Sequence, residues 1–136
     1  MDKRDGFYTL KGYMKPSMIT PAMEDYIEMI YRIISDGQEV RVGIISKLLH
    51  VRPSSVSKMV RQLTEEGYVI FERYGEIKAT EKGRAMGAYL IYRHDVVHKL
   101  LCMINGTSNE LELAEKIEHF IDPETVENIK RFTDKK

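Results

Sequence analysis

The stretch Pro53-Ser54-Ser55-Val56-Ser57-Lys58-Met59-Val60-Arg61-Gln62-Leu63, residues 53–63, decides the fold. A proline suits the first turn of a helix, where its missing N–H costs no hydrogen bond. Val56, Met59, Val60 and Leu63 follow the three- and four-residue spacing of a buried helical stripe. Ser54, Ser55, Ser57, Lys58, Arg61 and Gln62 fall on the other side. The pattern predicts a helix from Pro53 to about Glu66, stopped by Gly67. Hydroxyls at its start and cations along its open side suit an approach to phosphates and base edges.

Working backwards, Thr20-Pro21 opens an earlier helix, with Thr20 as N-cap and Met23, Ile27, Ile30, Tyr31 and Ile34 as its stripe. Asp36-Gly37 ends it. Val40-Arg41-Val42 reads as a short strand, and Gly43 to Leu49 as a helix with Ile44, Ile45, Leu48 and Leu49 apolar. A turn at His50-Val51-Arg52 leads into Pro53. Working forwards, residues 68–73 and 76–79 read as a hairpin about Tyr74-Gly75. Helix, short strand, helix, turn, helix, hairpin is the order of a winged helix-turn-helix, in which the last helix enters the major groove. The charge pattern agrees. From Lys47 to Arg61 the charged residues are Lys47, Arg52, Lys58 and Arg61, with no acid, in a chain that is 31% charged. A small α+β core with a solvated third helix would leave that gap unexplained. The expected DNA contacts are Lys47, Arg52, Pro53, Ser54, Ser55, Ser57, Lys58 and Arg61, with Arg73 and Tyr74 on the wing.

Beyond the hairpin, Thr80 caps a long helix through Met86, Tyr89, Leu90, Val97 and Leu101 to about Ile104, where Asn105-Gly106 breaks it. Ser108 is the expected cap of a helix to about Ile121, with Leu111, Ala114, Ile117 and Phe120 or Ile121 toward the core. Asp122-Pro123 opens a last helix bearing Val126, Ile129 and Phe132. The fold expected is therefore mainly α: a mobile arm over 1–19, a winged helix-turn-helix over 20–80, and a helical dimerisation and metal-binding domain over 81–136.

Composition narrows the chemistry. The 136 residues balance 21 basic against 21 acidic side chains, and contain one cysteine, Cys102. That excludes a thiol-based zinc site and a disulfide scaffold, and fits a reducing cytoplasm. No apolar run approaches a membrane span, and no apolar stretch follows the N-terminus as a signal peptide would require. From Glu110 to Glu127 the charged residues are Glu110, Glu112, Glu115, Lys116, Glu118, Asp122, Glu124 and Glu127, almost all acidic. Asp25 and Glu28 are three apart, as are Glu115 and Glu118, so each pair shares a helix face. Such pairs also occur as solvated surface. Here they are joined by His94 and His119, and the six side chains form a hard, oxygen-rich set suited to Mn²⁺ or Fe²⁺. His98, Asp95 and Asp122 read as structural or surface residues. No catalytic signature is present, so no enzyme and no small-molecule substrate is expected.

Four segments, residues 20–28, 53–60, 90–94 and 115–119, together resemble the diphtheria toxin repressor family. They read Thr20-Pro21-Ala22-Met23-Glu24-Asp25-Tyr26-Ile27-Glu28, Pro53-Ser54-Ser55-Val56-Ser57-Lys58-Met59-Val60, Leu90-Ile91-Tyr92-Arg93-His94 and Glu115-Lys116-Ile117-Glu118-His119. The resemblance runs from about residue 20 to the end, with the motifs in order. It implies a homodimeric, cytoplasmic repressor of metal-uptake genes on a palindromic double-stranded operator. It further implies a binuclear Mn²⁺ site, two ions per subunit, held by Asp25, Glu28, His94, Glu115, Glu118 and His119. Glu28 and Glu118 would bridge the ions, and His94 and His119 would each close one coordination sphere. Iron-responsive members are expected to carry sulfur at positions 25 and 118, where this chain has carboxylates; Fe²⁺ and other divalent ions stay open as corepressors. The first 19 residues have no counterpart in the resemblance, and the extra C-terminal domain of larger members is not expected.

Two alternatives stand beside this. One is a winged-helix repressor answering Fe²⁺ or an organic ligand, with the acidic cluster as plain surface. The other is a di-metal oxidase, which needs paired Glu-x-x-His motifs. None of His50, His94, His98 and His119 has a Glu three residues before it.

Overall fold

The computed structural model describes residues 19–135. The arm expected over residues 1–19 lies, apart from Ile19, outside the described residues.

Helix α1, Pro21–Ser35, starts as its sequence demands: Thr20 Oγ1 accepts from the Met23 N–H at 3.1 Å, and Pro21 takes the first turn. It buries Met23, Tyr26, Ile27, Ile30 and Ile33. Tyr31 and Ile34, expected in the stripe, are only half-buried, and Tyr26 and Ile33 take the deeper positions. The stripe is rotated by about one residue, because α1 is covered from two sides.

Strand β1, Val40–Arg41, runs into α2, Val42–Leu49. Only Ile45 of α2 is buried; Ile44 and Leu48 face solvent against expectation. Helix α3, Pro53–Glu65, buries Val56, Val60 and Leu63. Gly67 follows at φ +83°, a left-handed conformation that glycine enters without a Cβ penalty. Strands β2, Val69–Phe71, and β3, Glu76–Ala79, form the hairpin. β1 joins its other edge, giving an antiparallel sheet ordered β1-β3-β2 with Val40 opposite Ile77 and Phe71 opposite Ile77.

Helix α4, Glu81–Asn105, is capped by Thr80 Oγ1 accepting from the Gly83 N–H at 3.0 Å, and ends at Gly106 with φ +66°. Its 25 residues span about 37 Å at 1.5 Å per residue. That reach lets it pack on α1 near one end and on the C-terminal helices near the other. The next helix, α5, is shorter than expected: Leu111–Ile117, followed by a 3₁₀ turn at Glu118–Phe120. Ser108 is not its cap. Asn109 Oδ1 accepts from the Leu111 N–H at 3.0 Å, and His98 Nε2 accepts from the Glu110 N–H at 3.0 Å. Helix α6, Pro123–Asp134, is capped by Asp122, whose carboxylate accepts from the Thr125 N–H at 2.7 Å.

The main core joins α1, α3, the sheet and the first half of α4: Ile30, Val56, Val60, Leu63, Ile77 and Leu90 are all but fully buried. Each such side chain contributes roughly 1.5–3 kcal/mol relative to exposure. A smaller cluster of Val97, Leu101 and Ala114 holds α5 to α4. Among the described residues no helix is long and apolar enough to cross a membrane.

Candidate metal centre and nucleic-acid interface

The α2–α3 pair is joined by a tight turn. His50 adopts a left-handed φ of 56°, and Ser46 holds the turn by donating from Oγ to the Val51 carbonyl at 2.5 Å. Val56, Val60 and Leu63 pin one side of α3 inward. Pro53, Ser54, Ser55, Lys58 and Arg61 are consequently exposed, as are Lys47 and Arg52; Ser57 is half-buried. At the hairpin, Arg73 is exposed and Tyr74 is 82% exposed. The hairpin tip is braced by Arg41, whose Nη1 donates to the Tyr74 carbonyl at 2.5 Å. All the cations proposed from sequence thus lie on accessible surface.

The six candidate metal ligands converge on the junction of α1, α4 and the α5–3₁₀ segment. Asp25, Glu28, Met29, Arg32, Leu49 and Glu115 line one cleft. His119 Nε2 lies 3.4 Å from Asp25 Oδ1, and His94 Nδ1 lies 2.7 Å from Glu118 Oε1. Glu28 is turned along its own helix instead, accepting from Arg32 Nη2 at 2.9 Å and Nε at 3.1 Å. Four of the six ligands stand as two pairs, His119 with Asp25 and His94 with Glu118, and among the described residues no three His, Cys, Asp or Glu side chains meet at metal-binding spacing.

Charge in this region is costly. The Asp25 carboxyl is raised from its ordinary value, first by desolvation; His119 opposes the shift, and the neighbouring acids Glu115, Glu28 and Glu24 add to it. The Glu118 carboxyl is also pushed up, chiefly by burial, against the lowering effect of His94. A cluster that holds carboxylates against such a penalty is the donor set a hard divalent cation would relieve. By donor chemistry the residues present therefore suit a hard divalent cation.

Two residues of this region were not singled out in the sequence. Arg93 is only 4% exposed, and its Nη2 and Nη1 donate to Glu24 Oε1 at 3.0 Å and Oε2 at 3.3 Å. The same Glu24 Oε1 stands 2.7 Å from His119 Nδ1. Arg93 Nε is buried without a hydrogen-bond partner among the described residues. A signal was available: Arg93 lies between Leu90 and Val97 at three- and four-residue spacing, on the buried stripe of α4. His98, read as structural, takes that role by accepting from the Glu110 N–H.

Residues 18–77 match the profile of the iron dependent repressor N-terminal DNA binding domain. Residues 80–135 match that of the iron dependent repressor metal binding and dimerisation domain. Among solved structures, the manganese regulator SloR aligns at 25% identity with a TM-score of 0.74, covering 85% of this chain and 55% of its own. ScaR with bound Zn²⁺ aligns at 24% identity and TM-score 0.71, covering 82% of this chain and 53% of its own; at that identity it speaks for the fold alone. The hypothetical protein SSo2273 from Sulfolobus solfataricus aligns at 25% identity and TM-score 0.70, covering 87% of this chain and 92% of its own. The chain spans about half the length of SloR and ScaR.

Proposed function

This chain belongs to the iron-dependent repressor family, also called the diphtheria toxin repressor family, whose members are transcriptional regulators and not enzymes; we propose that it is a homodimeric, manganese-responsive repressor of metal-uptake genes. The reading divides the chain at about residue 80 into a DNA-binding winged helix-turn-helix and a helical metal-binding and dimerisation domain. It places two Mn²⁺ ions per subunit among Asp25, Glu28, His94, Glu115, Glu118 and His119. The observation that carries it is the facing of His119 Nε2 and Asp25 Oδ1 at 3.4 Å, beside a cleft that Asp25, Glu28 and Glu115 line together. Two ligands at about 2.1–2.2 Å from one cation commonly stand about 3 Å apart, so this pair is close to ligating separation.

The mechanism follows from where these residues sit. Asp25 and Glu28 belong to α1, whose Ile27 and Ile30 share one core with Val56, Val60 and Leu63 of α3. His94 belongs to α4, and Glu115, Glu118 and His119 to the segment that α4 anchors. Asp25, Glu28, His94, Glu115, Glu118 and His119 would hold a divalent cation, whose positive charge would offset the repulsion among the carboxylates. Asp25, and Glu28 once turned from Arg32, would then tie α1 to the C-terminal segment, and α1 would hold α3 through their shared core. Ordering α3 before it meets DNA lowers the entropy cost of binding, so the metal and DNA affinities rise together and reciprocally. The exposed apolar side chains of the C-terminal half, Met103, Ile104, Leu111, Leu113 and Phe120, supply surface for a second copy to cover. A two-fold dimer would read a palindrome with half-sites about one helical turn, or a multiple, apart.

The test is a binding titration. Double-stranded DNA selected from a random library by the Mn²⁺-loaded protein is titrated under anaerobic conditions with buffered Mn²⁺, Fe²⁺ or Zn²⁺, or with chelator. Tight binding at the lowest free concentration of Mn²⁺, and little with chelator, is expected. Binding unchanged by chelator would end the metal-responsive reading, and activation by Fe²⁺ at lower free concentration than Mn²⁺ would reassign the corepressor.

A further inference from the structure

Glu24 and Arg93 lie outside the six-residue ligand set, yet they are tied to one of its members more closely than most ligands are to each other. Glu24 accepts from both terminal nitrogens of Arg93, and its Oε1 is also 2.7 Å from His119 Nδ1. The three residues come from three elements: Glu24 from α1, Arg93 from α4 and His119 from the 3₁₀ turn. All three side chains are nearly buried.

The chemistry of this contact leaves one assignment. A carboxyl group whose two oxygens both accept from the Arg93 fork presents acceptors at those oxygens. At 2.7 Å the His119 nitrogen facing it must therefore be the donor, so Nδ1 carries the hydrogen. Arg93 Nη2, 3.4 Å from the same nitrogen, has no lone pair there to donate to, and acts on His119 only through Glu24. In the neutral imidazole the lone pair is then on Nε2, the atom that faces Asp25 Oδ1. The fork of Arg93 fixes the carboxylate plane, and the carboxylate fixes the ring.

We propose that Glu24 and Arg93 form a buried positioning pair that holds His119 in its Nδ1–H form with Nε2 turned toward Asp25. Adjacent acids on α1 thus have separate tasks: Glu24 grips one nitrogen of His119 and Asp25 faces the other. The pair also bolts α1 to α4 beside the candidate centre, since the Glu24–Arg93 contact joins residues 69 apart in the chain. The link to metal affinity rests on the function proposed above; the assignment of the tautomer does not.

The test separates the two. The first measurement uses metal-free wild-type protein in chelator, with ¹⁵N-labelled histidine, about two pH units above the ordinary histidine pKa of about 6.5. Long-range ¹H–¹⁵N correlation spectra distinguish a protonated from an unprotonated ring nitrogen. His119 is expected to show a protonated Nδ1 and a bare Nε2. In Glu24→Met, whose side chain keeps the length and loses the acceptor, the signals should move toward the mixed or Nε2–H pattern common in free histidine. A wild-type His119 with Nε2–H dominant, or a tautomer unchanged in Glu24→Met, would overturn the proposal. That first result needs no variant, so a failure of Glu24→Met to fold does not remove the test. The second measurement is Mn²⁺ affinity by calorimetry or by the electron paramagnetic resonance signal of the free ion. Glu24→Met and Arg93→Met should each weaken Mn²⁺ about 10- to 100-fold with all six candidate ligands intact, and Arg93→Lys, which keeps the charge but not the fork, should fall between. The predicted tautomer with no Mn²⁺ binding in the wild type would uphold the positioning pair and sink the metal reading; unchanged affinity in folded Glu24→Met would show that the pair does not serve the centre.

Discussion

Gly87 on α4 lies directly against the ring of Tyr31 on α1: a Cβ at position 87 would stand 2.6 Å from Tyr31 Cγ. The two helices cross here because one of them has no side chain. The crossing holds α1 at the level where Arg93 and His94 follow on α4, both about two turns further along. Gly87→Ala should therefore force the helices apart. Overpacking of this kind costs roughly 1–3 kcal/mol, offset in part by the roughly 0.5–1 kcal/mol that alanine gains over glycine within a helix. Urea denaturation of the metal-free protein checks this. A midpoint equal to or above the wild type would mean that Tyr31 swings away freely and the contact does not set the crossing.

Gly83 offers a sharper case. An added Cβ there would collide with the backbone carbonyl of Tyr68 and stand 3.0 Å from its carbonyl carbon. A backbone group cannot rotate aside as a ring can. Gly83→Ala is expected to be the more damaging of the two, and also to disturb the Thr80 cap that the Gly83 N–H feeds. Thermal melts of the two variants side by side decide the order.

Glu118 gives a prediction with a defined pH sign. Burial raises its folded-state pKa above the unfolded value. Between those two values the folded chain holds a proton that the unfolded chain has released, so metal-free stability falls as pH rises through that window and stays lowered at neutral pH. Glu118→Gln keeps an oxygen that can accept from His94 Nδ1 and removes the buried charge. In chelator at neutral pH the variant should melt a few degrees above the wild type, with a flatter pH profile above the ordinary carboxylate value. If it melts below the wild type, Glu118 is stabilised as the partner of a charged His94 and its burial is not a net cost.

On the nucleic-acid side, Lys58→Ala and Arg61→Ala should weaken DNA binding by similar factors on different sequences. Each should reduce the slope of log affinity against log salt by about one unit per lost phosphate contact. Both side chains are exposed on α3, whose buried side is fixed by Val56, Val60 and Leu63, so folding should be unaffected. Unchanged affinity and slope in both variants would remove this face of α3 from the interface.

Asp25 should select the metal. Its carboxylate is a hard ligand facing His119 Nε2, whereas a thioether there would favour later, softer ions. Asp25→Met is expected to narrow or reverse the preference for Mn²⁺ over Fe²⁺ in anaerobic DNA-binding titrations. Identical responses to both metals in variant and wild type would show that Asp25 takes no part in selection.

Much of this molecule is written in short-range patterns. Thr20-Pro21, Arg52-Pro53, Thr80 and Asp122-Pro123 each start a helix because the cap or fixed φ acts within one turn of itself. Gly67 and Gly106 end helices for an equally local reason, a left-handed φ. The apolar spacing of α3 likewise settles which of its sides is left for solvent, and so where Lys58 and Arg61 point. That Asp25 and Glu28 share one helix face, and Glu115 and Glu118 another, was legible from three-residue spacing alone. Tertiary structure alone decided the rest. Glu28 turned to Arg32, while Glu24, one place before the expected ligand, met Arg93 and His119 from 69 and 95 residues away. Phe120 was left exposed where α5 gives way to a 3₁₀ turn, which changes the angle per residue and breaks the stripe that an unbroken helix would have continued. A periodicity records which side of one element is apolar. It holds no record of which element arrives from elsewhere in the chain, and partner choice among buried charges depends on that arrival.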